Sequence, residues 1–316
     1  MNNSRNLCSA QTVARLSAVV TLAVLFATTT AFASTPQGTF DRNLPVSGPV
    51  DLEVLTRSGD VTIRAGGSGS VQIHGKIFVN DHWLFGDRQA NVQGIEQNPP
   101  IHQEGNSVRI DYVNERNISI DYEITVPADT SIHTRSGSGD LLIEGTRGNA
   151  DLQTGSGDVK MRNVSGQISL QTGSGDVRAH DISGSVKGGT GSGDIELEET
   201  GAGDVDLHAG SGDINVRGVQ GTFHGQSGSG DITVEGTQTG SWEVRTGSGN
   251  VHVKLPDNAA FDADISTSSG SLDVESPIEM TVQGRIGDEH KHVQGKVRGG
   301  GPLLSVHTGS GDIHIQ

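Results

Sequence analysis

A block ending in Ser-Gly-Asp recurs through most of the chain, and its spacing restricts the fold more than any other feature. Taking the last residue of each block as a marker gives Asp140, Asp158, Asp176, Asp194, Asp213, Asp231, Asn250 and Ser271, with steps of 18, 18, 18, 19, 18, 19 and 21 residues. Asp60 and Asp312 end the same kind of block outside this run. Self-similarity at such a period is the mark of stacked repeats, in which no unit can bury a core alone.

Parity around the marker gives the local structure. One and three residues after it stand Val159 and Met161, Val177 and Ala179, Ile195 and Leu197, Ile214 and Val216, all apolar. Two and four after it stand Lys160 and Arg162, Arg178 and His180, Glu196 and Glu198, all polar. A period of two is a strand with one face inside. Six before the marker come Leu152, Leu170, Leu207 and Val244. Four before it every residue is small: Thr154, Thr172, Thr190, Ala209, Ser227, Thr246, Thr267 and Thr308. A second corner favours Gly148, Gly166, Gly184, Gly221 and Gly240. Each unit therefore reads strand, Gly-Ser-Gly corner, strand, second corner.

The predicted fold is all-β, a parallel β-solenoid (β-helix) with about 18 residues and two short strands per coil, equivalent strands lying about 4.8 Å apart. The alternative is an antiparallel β-sandwich of hairpins. The solenoid is favoured because the register repeats every second strand. Composition agrees, since Gly supplies 46 of 316 residues and aromatics only 3%, which suits a thin cross-section better than a broad core. The outward residues Arg162, His180, Glu198, Arg217, Glu235 and Lys254 are expected to form a charged row whose signs alternate from Glu198 onward, useful for register more than for stability.

The predicted site is a structural turn ladder, made of Gly155, Gly157, Asp158, Gly173, Gly175, Asp176, Gly191, Gly193, Asp194, Gly212, Asp213, Gly230, Asp231 and Asn250. Asp, Asn and Ser interchange at the marker, and they share a short side-chain oxygen able to accept a nearby backbone N–H. The reading is that this oxygen locks each corner while the flanking glycines supply positive φ. A calcium-binding β-roll also has 18-residue coils. Here, however, the aspartate follows glycine directly, only one corner carries it, and a calcium site would keep its carboxylate.

Four segments are expected. Residues 1–33 read as a signal peptide, with Arg5 and Arg15 before an apolar run and Ala31-Phe32-Ala33 before Ser34. Residues 34–130 form an N-terminal β module with an irregular insertion, 131–276 the regular array, and 277–316 irregular coils ending in a strand. Cys8 is the only cysteine, so the exported chain has no disulfide. Its net charge is −16, and nearer −18 without Arg5 and Arg15, since residues 1–33 hold no acid. Such a charge argues against nucleic acid as a partner. No second apolar run is long enough to span a membrane.

Other candidates are weaker. His82, Trp83 and Phe85 mark a loop that either binds or covers the end of the core. Asp288, Glu289, His290, Lys291 and His292 cluster possible ligands without a spaced third donor, and read as a charged loop. No nucleophile triad, phosphate loop or zinc-protease pattern occurs. No cofactor or metal is expected. The terminal strand Asp312-Ile-His-Ile-Gln316 looks unshielded, which predicts end-to-end self-association through that edge.

The recurrent TGSGDV, with Ile124-Thr-Val-Pro-Ala-Asp129 and Arg135-Ser-Gly-Ser-Gly-Asp140 upstream, resembles the bacterial "putative adhesin" family of β-strand-repeat proteins of unknown function, related to auto-transporter adhesin heads. The resemblance covers about residues 48–316. It implies a non-enzymatic, exported β-repeat scaffold, an adhesin or an envelope-associated binding protein at the periplasm, cell surface or medium, with a surface glycan or envelope protein as partner. The alternatives are a carbohydrate-active β-helix enzyme and a calcium-binding β-roll.

Overall fold

A computed structural model describes residues 35–67, 69–79, 88–115, 117–275, 278–282 and 291–316. The signal-peptide segment 1–33, the aromatic residues His82, Trp83 and Phe85, and Asp288, Glu289 and His290 lie outside the described residues.

Two long sheets of 13 and 14 strands face each other across one apolar core. In the first, Val159–Ser165 pairs in parallel with Leu141–Glu144 on one side and Val177–Ser183 on the other, with Leu141, Val159 and Val177 in one row. In the second, Ala150–Thr154 pairs in parallel with Ile168–Thr172, placing Leu152 against Leu170 and Thr154 against Thr172. Equivalent residues of successive coils thus stack in register, as the period predicts. Antiparallel pairs among the described strands occur only toward the two ends, so the sandwich alternative does not describe the array.

The core is a set of inward columns, with size alternating along them. Gly188 and Gly225 take inward places between larger residues, Leu170 and Leu207 on either side of Gly188, Leu207 and Val244 on either side of Gly225. A Cβ on Gly188 would lie 2.5 Å from Leu170 Cδ1, and one on Gly225 2.7 Å from Phe223 Cζ. Phe223 packs edge-to-face on Trp242 with centroids 5.9 Å apart, and the buried indole N–H donates to the Gly221 carbonyl at 3.1 Å. This part of the thin core thus gets its bulk from two packed aromatics.

At both ends the spatial order of coils departs from the chain order. Leu303–Ser310 and Ile313–Ile315 insert between the coil carrying Trp242–Thr246 and Val251–Lys254 and the coil carrying Phe261–Ser269 and Leu272–Val274. Ile313 stands between Val251 and Leu272. The expected free edge at Asp312–Gln316 is therefore absent, because the terminal strand is hydrogen-bonded on both sides. The outermost strand of that sheet is Leu272–Val274.

The N-terminal end mirrors this. Val50–Ser58 and Val61–Gly66 lie between the later strands Ser107–Ile110 and Ile118–Pro127 on one side and Thr130–Ser138 and Leu141–Glu144 on the other. A penultimate coil hydrogen-bonded on both faces cannot fray alone. The irregular insertion within residues 34–130 also holds a helix, Arg88–Gln97, which periodicity did not reveal. It buries Val92 and Ile95. The Arg42 guanidinium donates to its terminal carbonyls at Glu96 and Gln97, at 3.2 and 2.9 Å, satisfying groups that a helix end leaves open.

Candidate functional site

The markers form one continuous column. Starting at Asp121, each side-chain oxygen accepts the amide N–H of the marker in the next coil. The column runs through Asp60, Asp140, Asp158, Asp176, Asp194, Asp213, Asp231, Asn250 and Asp312 to Ser271, at 2.7–3.0 Å throughout. Asp60 and Asp312, far from the array in sequence, are ordinary members of it. The residue after each marker closes the ring in reverse, as when Val159 N–H donates to the Asp176 carbonyl at 2.8 Å. The short oxygen expected from the Asp/Asn/Ser exchange is thus used, but it binds the neighbouring coil, not its own corner.

Basic residues two after the marker neutralise part of the column. Lys160 Nζ lies 3.4 Å from Asp140 and 3.7 Å from Asp158, and Arg178 lies 3.5 Å from Asp158 and 2.8 Å from Asp176. The corresponding positions after Asp194, Asp213 and Asp231 hold Glu196, Asn215 and Thr233. Of the expected charged row, the close pairs are Arg162 with Glu144 at 3.7 Å, His180 with Glu198 at 3.3 Å and Lys254 with Glu235 at 3.0 Å.

A second column is buried beside the first. Thr172 Oγ1 accepts the Gly175 N–H at 3.1 Å and donates to the Gly157 carbonyl of the preceding coil at 3.0 Å. Thr190 repeats this with Gly193 and Gly175, and Ser227 with Gly230 and Gly212. Sequence reading saw these positions as small. The signal for more was the hydroxyl retained at every one except Ala209.

The ladder glycines serve close approach. None of Gly155, Gly157, Gly173, Gly175, Gly191, Gly193, Gly212 and Gly230 has a left-handed φ, which corrects the expected backbone role. A Cβ on Gly157 would come within 1.8 Å of the Gly139 carbonyl oxygen, and one on Gly175 within 1.9 Å of that of Gly157. The corners stack so tightly that any side chain would strike the coil before it.

A shorter ladder lies at the second corner. The Gln167 amide donates to Asn149 Oδ1 at 3.2 Å, that of Asp204 to Ser185 Oγ at 3.3 Å, and that of Thr222 to Asp204 Oδ1 at 3.0 Å. The Thr222 hydroxyl and amide hold the Asp204 carboxyl below its usual range. Beside this ladder the second sheet carries a shallow groove of about 450 Å³, with Ala150, Ile168 and Val186 in its floor and His133, Asp151, Lys187 and Asp206 among its polar walls. Lys187 pairs with Asp206 at 3.2 Å. A second groove, about 530 Å³, opens where Gly189 interrupts the outward row of Gln171, His208 and Gln226.

One carboxyl breaks the outward pattern. Asn163 and Asp181 take left-handed φ of 52° and 56°, each an extra residue that returns Val164 and Ile182 to the core. The following coil has no such residue, so two residues oppose one and Glu199 falls opposite Ile182. Glu199 is 4% exposed, and neither of its oxygens has a hydrogen-bond partner. Desolvation, helped by the nearby Asp204 charge, pushes its pKa up to about 8.

His307 has Ser266 Oγ at 2.6 Å on Nδ1 and Ser305 Oγ at 3.0 Å on Nε2, so no carboxylate orients it as a relay requires. His292, from the expected charged loop, binds Asp264 at 2.6 Å across an antiparallel pair.

No curated protein matches the chain. Among solved structures it is similar to "a putative cell adhesion protein" from Clostridium sporogenes, at 9% identity over 88% of this chain and 98% of that one, with a TM-score of 0.22. It is also similar to "a putative adhesin" from Bacteroides fragilis, at 16% identity over 90% and 100% of the two chains, with a TM-score of 0.31. The marker column, from Asp60 to Asp312, lies wholly within residues 50–316, which the Toastrack DUF4097 family model matches, and the chain belongs to that family.

Proposed function

We propose that this chain is an exported, non-catalytic β-solenoid scaffold of the cell envelope, an adhesin-type protein that presents its outward strand faces to a surface glycan or an envelope protein. The observation that carries the reading is where the polar groups are used. The conspicuous carboxylates and hydroxyls of the corners, Asp176 and Thr172 among them, are committed to coil-to-coil hydrogen bonds that tie the stack together. What stays open is shallow and long: the grooves over Ala150, Ile168 and Val186 and beside Gly189. Such troughs, with an apolar floor and amide, imidazole and carboxylate rims, fit an extended polar ligand better than a small molecule, which favours a deep pocket. The signal-like segment 1–33 and the absence of cysteine after Cys8 suit an exported chain held together by its apolar core and coil-to-coil hydrogen bonds, without disulfides.

Fractionation of cells producing the full chain tests the placement. The expected result is a product lacking residues 1–33 in the periplasm, on the surface or in the medium. An uncleaved product in the cytosol would reject export. Glycan-array binding by the purified protein, compared with a Lys187→Ala/Asp206→Ala variant, tests the groove. Glycan cleavage by the wild-type protein would replace the scaffold with an enzyme.

A further inference from the structure

The inverted coil order at the C-terminal end brings together side chains that the sequence keeps apart. Val251–Lys254, Ile313–Ile315 and Leu272–Val274 run in parallel, so His252, His314 and Asp273 stand in one outward row. Glu275, two residues past Asp273, shares its side of the strand. His314 Nδ1 lies 3.2 Å from Asp273 Oδ2, and its Nε2 lies 3.8 Å from Glu275 Oε1. One ring nitrogen and one oxygen from each carboxylate fall within 4.8 Å of one another. The His252 ring lies over that of His314, centroids 4.7 Å apart.

Edge protection explains part of this. Leu272–Val274 is the outermost strand of its sheet, and charge on an edge discourages pairing with another chain. Protection alone does not ask for an imidazole on the adjacent strand, between both carboxylates and a second imidazole. We infer that Asp273, Glu275 and His314 form a site for a divalent transition-metal ion of the zinc type, flanked by His252. The donor set is what selects the ion. One imidazole with two carboxylates suits zinc, which takes nitrogen and oxygen donors at about 2.0–2.2 Å, whereas calcium and magnesium prefer oxygen throughout. Solvent would complete the coordination, because Asp273 and Glu275 are exposed.

The ligands sit on two neighbouring coils, 41 and 39 residues apart in sequence. They meet only when the C-terminal strands are inserted. Metal binding is therefore linked to the native order of the terminal coils and staples the outermost strand to the inserted one.

The test is calorimetric titration of the full chain with zinc chloride, any histidine tag removed, in parallel with calcium chloride. Asp273→Asn/Glu275→Gln and His314→Gln serve as variants of nearly unchanged shape. The expected result is one zinc equivalent per wild-type chain, weakened at least about tenfold in both variants, with a rise in melting temperature on zinc addition only for the wild type. Other histidine–carboxylate pairs, such as His133 with Asp51, contribute equally to all three proteins. If His314→Gln fails to fold by circular dichroism, the double carboxamide variant, altered only at exposed side chains, decides alone. Equal zinc binding by wild type and that variant would overturn the site. Calcium binding at least as tightly as zinc, and lost in the same variant, would overturn the choice of ion.

Discussion

Ser271 gives both its amide and its hydroxyl hydrogen to Asp312 Oδ1, each at 2.7 Å, across 41 residues of sequence. Every earlier marker has to accept from the next coil. Ser271 ends the column among the described residues, and there a hydroxyl that donates inward serves as well as a carboxylate. Asn250, inside the column, still has an oxygen and accepts the Asp312 amide at 2.9 Å. Asn thus serves inside the stack because it keeps an acceptor oxygen, and Ser serves at its end.

Asp194 is the clearest place to test the column. Its Oδ1 accepts the Asp213 amide at 2.9 Å, and it has no ion pair among the described residues, so replacing it disturbs no cation. Asp194→Ala leaves that amide without a partner and should cost about 1 kcal/mol. Asp194→Asn keeps the acceptor and should be nearly neutral. Hydrogen exchange at the Asp213 amide is the readout, because a repeat array need not unfold as one unit. Exchange should quicken in the alanine variant alone, and equal protection in both would show that the side chain does not hold the next coil.

The glycine corners yield a contrast. A Cβ on Gly193 would approach the Gly175 carbonyl oxygen to 2.0 Å, while one on Gly94 in the helix Arg88–Gln97 meets nothing within 4 Å. Gly193→Ala should therefore destabilise by at least about 1–3 kcal/mol, the usual cost of overpacking a fixed backbone. Gly94→Ala should stabilise by about 0.5–1 kcal/mol through helix propensity. Urea denaturation followed by circular dichroism should move the two variants in opposite directions.

Much of the array was legible because a solenoid repeats its environment. Val159, Val177 and Ile195 face the core for the same reason, and a period of two with a fixed corner is enough to stack them. The marker exchange pointed to a short oxygen acceptor but could not name its partner, since the donor lies a full coil away. The glycines were legible as corners, yet their cause was misread. Composition cannot separate a need for positive φ from a carbonyl 2 Å from where a Cβ would be. At the ends the strands were legible but the order of the coils was not. Parity places Ile313 inside, but nothing near it records that it inserts between Val251 and Leu272, and so neither its pairing on both sides nor the meeting of His314 with Asp273 follows from spacing.

Ala209 stands where the buried column of hydroxyls lacks its oxygen. Its neighbours Thr190 and Ser227 each join two coils through one oxygen. At Ala209 the Gly212 amide and the Gly193 carbonyl lack that bridge. Ala209→Ser adds a single oxygen at a position where Ser227 already fits, and should stabilise by about 0.5–1.5 kcal/mol. The midpoint of urea denaturation should rise. An unchanged or lower midpoint would mean that the column contributes shape and not hydrogen bonding.

Glu199 makes stability depend on pH in a direction opposite to that of a salt-bridged acid. Its carboxyl ionises near 4.5 when the chain is unfolded and near 8 when it is buried opposite Ile182. Over that window the native state holds a proton that the unfolded state has released, so stability falls as pH rises. The contribution is complete below about pH 4.5 and is lost as pH passes through about 8, at no more than about 1.4 kcal/mol per unit between. Glu199→Val matches the aliphatic character of Val164 and Ile182 in the same column and removes the titrating group. Denaturation midpoints measured from pH 5 to 9 should decline more steeply for the wild type than for this variant, and the variant should be the more stable at pH 8. Parallel profiles would show that Glu199 reaches water or a partner when charged, and that its burial does not control the response.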